Sequence, residues 1–225
     1  MLLSSKGSQK FLAATHNLVF AGNSLIAGDG ATTAQRVANT LHNLPLLKNS
    51  GLTVKSYGIA GDSYTDMIVN QIASIQAAYE VGKKNILIHW EATNQIYLGN
   101  STASQTVTHM LDFLSAVNTG QTWEHITLTC LHRWTDNAKN LVLQEFNGLV
   151  LNNHKNYGIK RVVDIRKGDS PFSGTGFTQA DFDAYSAYTK NTEVGTGNET
   201  HLNDAGYDKI AKMIEQQGLR MLGPV

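Results

Sequence analysis

Four short segments hold residue types from which a site for nucleophilic acyl chemistry can be built. Gly22-Asn23-Ser24-Leu25 places a serine directly after an apolar run, with a glycine two positions before it. A serine so placed can stand on a tight turn leading into a helix, with its own N–H directed at a ligand; it would serve equally as a helix N-cap. Gly58-Ile59-Ala60-Gly61-Asp62-Ser63 offers glycine. Glycine lets a backbone N–H approach a ligand closely and stabilise developing negative charge, but it also reads as a plain turn. In Ala92-Thr93-Asn94-Gln95 the asparagine amide can aim at the same point, or cap a turn. Asn198-Glu199-Thr200-His201 precedes a terminal helical pattern. A histidine means little alone in a chain with 8 of them. His201 is set apart by its place, at the end of a long loop and the start of a helix.

The elements that must position these residues follow from the apolar pattern. Leu18–Ala21, Thr53–Tyr57, Asn85–Trp90, His125–Leu131 and Arg161–Ile165 are short runs that suit buried strands of a parallel sheet. Helical spacing fills the gaps at Thr33–Leu44, Asp66–Val81, Ser104–Val117, Asn137–His154 and Asn203–Leu219. Strand and helix alternate five times, which implies a parallel three-layer α/β/α fold with right-handed crossovers. In such a sheet ligands bind beyond the carboxyl ends of the strands. The first three segments each follow a predicted strand. Gly168–Gly197 breaks the rhythm as a long loop rich in Gly, Ser, Thr and Asp, with a helix expected within Thr178–Lys190.

Taken together and in order, the four segments resemble the conserved blocks of the SGNH hydrolase superfamily, the GDSL-like esterases. Phe20-Ala-Gly-Asn-Ser-Leu-Ile-Ala-Gly28 is similar to the Gly-Asp-Ser-Leu block and Gly58–Ser63 to the second block. Ala92–Gln95 is similar to the Gly-x-Asn-Asp block, and Asn198–Tyr207 to the Asp-x-x-His block with its trailing Gly-Tyr. The resemblance implies a flavodoxin-like five-stranded parallel sheet of order 2-1-3-4-5, formed by one domain over residues 1–225. It implies Ser24 as nucleophile and His201 as general base. The oxyanion hole would be the N–H groups of Ser24 and Gly61 with the Asn94 side chain. The expected reaction is hydrolysis of a small acyl ester through an acyl-enzyme, with no cofactor and no metal.

Three acids usual in that family are amides here: Asn23, Gln95 and, at the acid position of the triad, Asn198. An amide orients a catalytic imidazole poorly; in a serine protease the Asp→Asn change costs about 10⁴ in kcat. Three readings follow. A backbone carbonyl orients His201; or Glu199, Glu193 or Asp169 replaces the acid; or the domain is a weakly active or inactive glycan-binding module. Trp90, Glu91 and His132, with Arg133 and Trp134, lie near the expected site and are candidate substrate contacts, the tryptophans as faces for sugar rings; packing against the sheet is the equal alternative for Trp90. An acetyl ester on a carbohydrate is the expected substrate.

Composition narrows the alternatives. Lys plus Arg number 18 and Asp plus Glu number 18, and no basic run stands out, which argues against a nucleic-acid partner. No stretch approaches the roughly 18 apolar residues of a membrane span, and Met1–Lys10 lacks the apolar core of a secretory signal. Compartment and oligomeric state stay open. Cys130 sits in an apolar run and reads as a buried core thiol. Gly22–Gly28 matches neither glycine-rich phosphate motif, which disfavours a nucleotide or flavin binder.

Overall fold

The computed structural model describes residues 15–32, 36–44, 47, 52–133, 137–167, 170, 172, 184–190 and 200–219. Five strands form one sheet: β1 (His16–Gly22), β2 (Val54–Ser56), β3 (Lys84–Trp90), β4 (Glu124–Leu128) and β5 (Ile159–Val163). Their order is β2-β1-β3-β4-β5 and every pairing is parallel, as the family resemblance implied. β1 lies at the centre of this order reversal and is buried throughout. Its residues alternate between two cores: Leu18 and Phe20 face one, Val19 and Ala21 the other. Burial on both faces explains why these strands read as unbroken apolar runs.

The helices are α1 (Ser24–Ala27), α2 (Val37–His42), α3 (Tyr64–Asn70), α4 (Ile72–Ala77), α5 (Thr93–Tyr97), α6 (Ala103–Val117), α7 (Asn137–Asn153) and α8 (Asp204–Met213). Val37, Leu41, Tyr207 and Ile210 carry α2 and α8 onto one face of the sheet. Tyr64, Met67, Ile75, Met110, Phe113 and Phe146 carry α3, α4, α6 and α7 onto the other. α3 and α6 each begin in a capping box, Ser63 with Asp66 and Thr102 with Gln105, which satisfies two otherwise orphaned N–H groups. Among the described residues no helix is long and apolar enough to cross a membrane.

Several elements depart from the sequence expectation: β5 spans Ile159–Val163 rather than Arg161–Ile165, and the short helix Thr93–Tyr97 was not expected. β4 ends at Leu128 rather than Leu131. Beyond it the side chain of Asn147, on α7, takes both backbone groups of Cys130: its Oδ1 accepts from Cys130 N at 2.7 Å and its Nδ2 donates to Cys130 O at 3.1 Å. The ladder cannot continue, although the chain stays buried. The single helix expected over Asp66–Val81 is two, broken at Gln71, whose φ is −117°. The last helix widens into a π-helical turn over Ile214–Leu219. There the Gln217 side chain accepts from Asp164 N at 2.9 Å and donates to Asp164 O at 3.3 Å, docking the turn on the end of β5.

Candidate active site

β1 delivers its last residue, Gly22, against β3. The φ of Gly22 is +154°, and a Cβ there would overlap the Trp90 carbonyl oxygen and reach 2.7 Å from Ile26 Cγ1. Only glycine lets the chain turn this close to its neighbour. Asn23 then caps α1, its Oδ1 accepting from Leu25 N at 2.9 Å. The cap is therefore Asn23, so Ser24 is free of the N-cap role and opens the helix with 7% of its surface exposed. Gly28 N and Asp29 N both donate to Ser24 O at 2.9 Å and close the short helix behind it.

His201 reaches the serine from the far end of the chain. Thr189 and Leu202 form an antiparallel bridge, and Lys190 N donates to His201 O at 2.8 Å. Asn203 caps α8 by accepting from Gly206 N at 3.0 Å, while its Nδ2 donates to Ala187 O and Thr189 O. Tyr207 on α8 donates to Asp29 O at 2.9 Å, tying that helix to the turn after α1. The result places His201 Nε2 at 2.8 Å from Ser24 Oγ. With the ring proton on Nδ1, Nε2 accepts from the serine hydroxyl, the geometry a general base requires. Asp29 Oδ2 lies 3.5 Å from the same nitrogen, and Asp29 Oδ1 lies 3.3 Å from Lys190 Nζ.

A closed circuit of hydrogen bonds joins the other two segments to this pair. Gln71 Nε2 donates to Gly22 O at 2.9 Å and to Asp62 Oδ2 at 2.8 Å, and its Oε1 accepts from Gly22 N at 3.2 Å. Asn94 Nδ2 donates to Asp62 O at 3.0 Å, which leaves the amide a second N–H. Glu91 closes the circuit. Its Oε2 accepts from Asn23 Nδ2 at 2.5 Å and Asn94 N at 3.3 Å, and its Oε1 accepts from Gln95 N at 2.8 Å. Gly61 sits at the rim with φ +88° and open space where a Cβ would stand. Ala92, just before α5, holds φ +136° without being glycine, a strained conformation of the kind that gathers at functional sites.

Burial governs the charges beneath the circuit. It pushes the Glu91 carboxyl up to about 7, against the pull of the N–H groups of Ala92, Gln95 and Asn94 and the Asn23 amide. Burial also drives His89 down to about 3, aided by His125, and His125 itself down to about 4. It raises the Tyr64 hydroxyl and the Cys130 thiol well above their ordinary values, so Cys130 is an inert core thiol, as its setting in the sequence suggested.

Of the residues singled out in the sequence, the fold brings Ser24, Gly61, Asn94 and His201 to the carboxyl end of the sheet. Asn198 lies outside the described residues, as do Glu193, Glu199, Asp169 and Trp134. The expected substrate contacts are corrected in part. Trp90 is fully buried and its indole donates to Thr129 O at 3.1 Å, so it packs in the core and offers no face to a sugar. Glu91 is fully buried and engaged by Asn23 and the α5 N–H groups, not by solvent. His132 is 6% exposed, too little for a stacking platform. Arg133 stands 4.6 Å over the Tyr97 ring. Asp29 and Gln71 were missed. Asp29 follows the Ser24 helix by two residues, which is a usable signal; Gln71 sits inside a helical pattern and carries none.

No protein-family model matches the sequence, and no curated protein is similar enough to count as a relative. Solved structures are similar in fold. A member of the lipolytic G-D-S-L family from Veillonella parvula superposes with a TM-score of 0.68 at 18% identity, over 92% of this chain and 100% of that one. A family 3 carbohydrate esterase from Clostridium thermocellum gives 0.62 at 15% identity, over 93% and 100%. The acetyl xylan esterase AlAXEase gives 0.57 at 13% identity, over 88% and 97%. The chain therefore has the three-layer fold of the SGNH hydrolases.

Proposed function

We propose that this chain is a serine ester hydrolase that removes a small acyl group, an acetyl group in the first instance, from a carbohydrate. The observation that carries the reading is the 2.8 Å contact between Ser24 Oγ and His201 Nε2. A serine hydroxyl is a weak nucleophile until a base takes its proton. In the proposed reaction His201 Nε2 takes that proton as Ser24 Oγ attacks the ester carbonyl. The carbonyl oxygen, now negative, receives N–H groups from Ser24, Gly61 and the second N–H of Asn94. Such donors each contribute about 3–4 kcal/mol to the transition state. His201 then protonates the departing alcohol, and a water activated by the same nitrogen cleaves the acyl-serine. Tying Asn94 to Asp62, and Asp62 through Gln71 to Gly22, supports a fixed distance between donors and nucleophile.

The fold neighbours include an acetyl xylan esterase and a carbohydrate esterase, which supports the choice of substrates to try first. The test is release of acetate from acetylated xylan, beside p-nitrophenyl esters of two, four and eight carbons. The proposal expects turnover that falls as the acyl chain lengthens. Preference for the eight-carbon ester would overturn the small-acyl assignment. Binding of acetylated glycan by calorimetry with no ester cleaved would replace the enzyme by a glycan-binding module.

A further inference from the structure

Asn23 stands beside the nucleophile where the resembling family carries an acid, and Glu91 is a carboxylate buried one residue beyond β3. These two facts have one geometric explanation. We infer that Glu91 is the positioning residue of the proposed active site: its carboxylate holds the cap of the Ser24 helix and the start of the Asn94 helix in register, and Asn23 is the amide that this buried acid requires as its partner. The inference rests on the hydrolase reading and deepens it.

The contacts are specific to the residue types. Asn23 uses its oxygen to cap α1, accepting from Leu25 N at 2.9 Å, and its nitrogen to donate to Glu91 Oε2 at 2.5 Å. When ionised, Glu91 supplies acceptors only: Oε2 for Asn23 Nδ2 and Asn94 N, Oε1 for Gln95 N at 2.8 Å. A second face of the same residue is anchored, since Glu91 O accepts from Tyr64 OH at 3.2 Å and Cys130 Sγ at 3.2 Å. Both Asn23 and Glu91 are at most 1% exposed, so water cannot replace a lost partner. One carboxylate thus joins the two short helices that bear the nucleophile and the oxyanion amide. Were residue 23 an aspartate, two carboxylates would meet at hydrogen-bond distance in a dry site, and one would have to hold a proton.

The geometry makes a reciprocal exchange possible. In Asn23→Asp with Glu91→Gln, the new aspartate still caps Leu25 N and accepts from the new glutamine, whose oxygen still accepts from Gln95 N. The weaker 3.3 Å contact to Asn94 N is the one lost. In Glu91→Gln alone, either Asn23 Nδ2 or the α5 N–H groups face another donor.

The experiment compares wild type, both single variants and the exchange. Its readouts are the rate of Ser24 phosphonylation by a fluorophosphonate, kcat and KM on p-nitrophenyl acetate, and melting temperature. Each single variant is expected to lose about 10- to 100-fold in kcat and labelling rate with KM little changed, as a displaced catalytic group does. The Asn23→Asp loss should be larger at pH 8 than at pH 6, where the pair can share a proton. The exchange should recover most of both rates. An exchange no better than either single variant, or a Glu91→Gln that melts earlier yet labels Ser24 at the wild-type rate, overturns the inference and leaves the hydrolase reading intact. Wild type that neither labels nor turns over removes the reading itself, and this inference with it.

Discussion

Lowering the pH should destabilise this protein through two buried histidines, and replacing one of them should abolish most of the effect. His89 is fully buried among the rings of Tyr64, Phe113 and His125, with centroids 6.1, 5.9 and 6.4 Å away. Its Nε2 has no hydrogen-bond partner, and its Nδ1 lies 3.4 Å from Tyr64 OH and 3.5 Å from Thr127 Oγ1, at the limit of hydrogen bonding. The folded values of about 3 for His89 and about 4 for His125 lie below the ordinary 6.5. The unfolded chain therefore binds these protons first. The stability they permit is complete above about pH 6.5 and lost as the pH falls towards the folded values. At about pH 5 each histidine withdraws about 2 kcal/mol. Glu91 acts in the opposite sense: held up at about 7 against the ordinary 4.5, it favours the folded state at low pH and loses that advantage as the pH rises through 7. Between about pH 7.5 and pH 5 it returns about 2 kcal/mol, leaving a net loss of about 2. Asp66 and Glu80 are held below their ordinary values and add a loss only at lower pH. His89→Phe removes one histidine from this sum and keeps the ring contacts, so its stability should be nearly level over the range. Urea unfolding at both pH values, with equal slopes, measures the difference. A His89→Phe variant that loses as much stability as wild type would refute the reasoning.

Other substitutions report on the frame of the site. Gln71→Met leaves Gly22 N, Gly22 O and Asp62 Oδ2 without their shared amide, and should cost about 3 kcal/mol in urea unfolding together with a slower Ser24 labelling rate. Gly22→Ala drives a Cβ into the Trp90 carbonyl and should cost about 3 kcal/mol or more, read as loss of soluble protein or a large fall in melting temperature. Trp90→Phe should lower stability by about 1–3 kcal/mol through lost volume and the lost bond to Thr129, while KM for an acetylated glycan stays unchanged; a raised KM would restore Trp90 as a substrate contact.

What could be read from the sequence follows physical lines. The strands were legible because a parallel sheet buried on both faces leaves apolar runs, and Leu18–Ala21 and Asn85–Trp90 are such runs. The same property left Trp90 undecided between a ligand face and packing against the sheet: at a strand's carboxyl end either is possible, and its burial decides for the core. Glu91 was misplaced for a related reason. A charged residue at the mouth of a site suggests solvent, and its burial depends on Asn23, 68 positions earlier, which no local pattern reveals. The break at Gln71 is likewise non-local, since apolar spacing continues across it and its cause is the side chain's grip on Gly22 and Asp62. The position of Ser24, Gly61, Asn94 and His201 at the carboxyl end of the sheet was readable because each sits beside a turn glycine, a strand end or a helix start, where chain direction is fixed by local chemistry.

The most direct test of the central claim is the hydrolysis of p-nitrophenyl acetate by wild type beside Ser24→Ala and His201→Ala. The account predicts turnover by wild type and a loss of about 10³-fold or more in kcat for each variant, with both variants folded. Turnover that survives Ser24→Ala would contradict it, because the hydroxyl held 2.8 Å from His201 would then not be the attacking group.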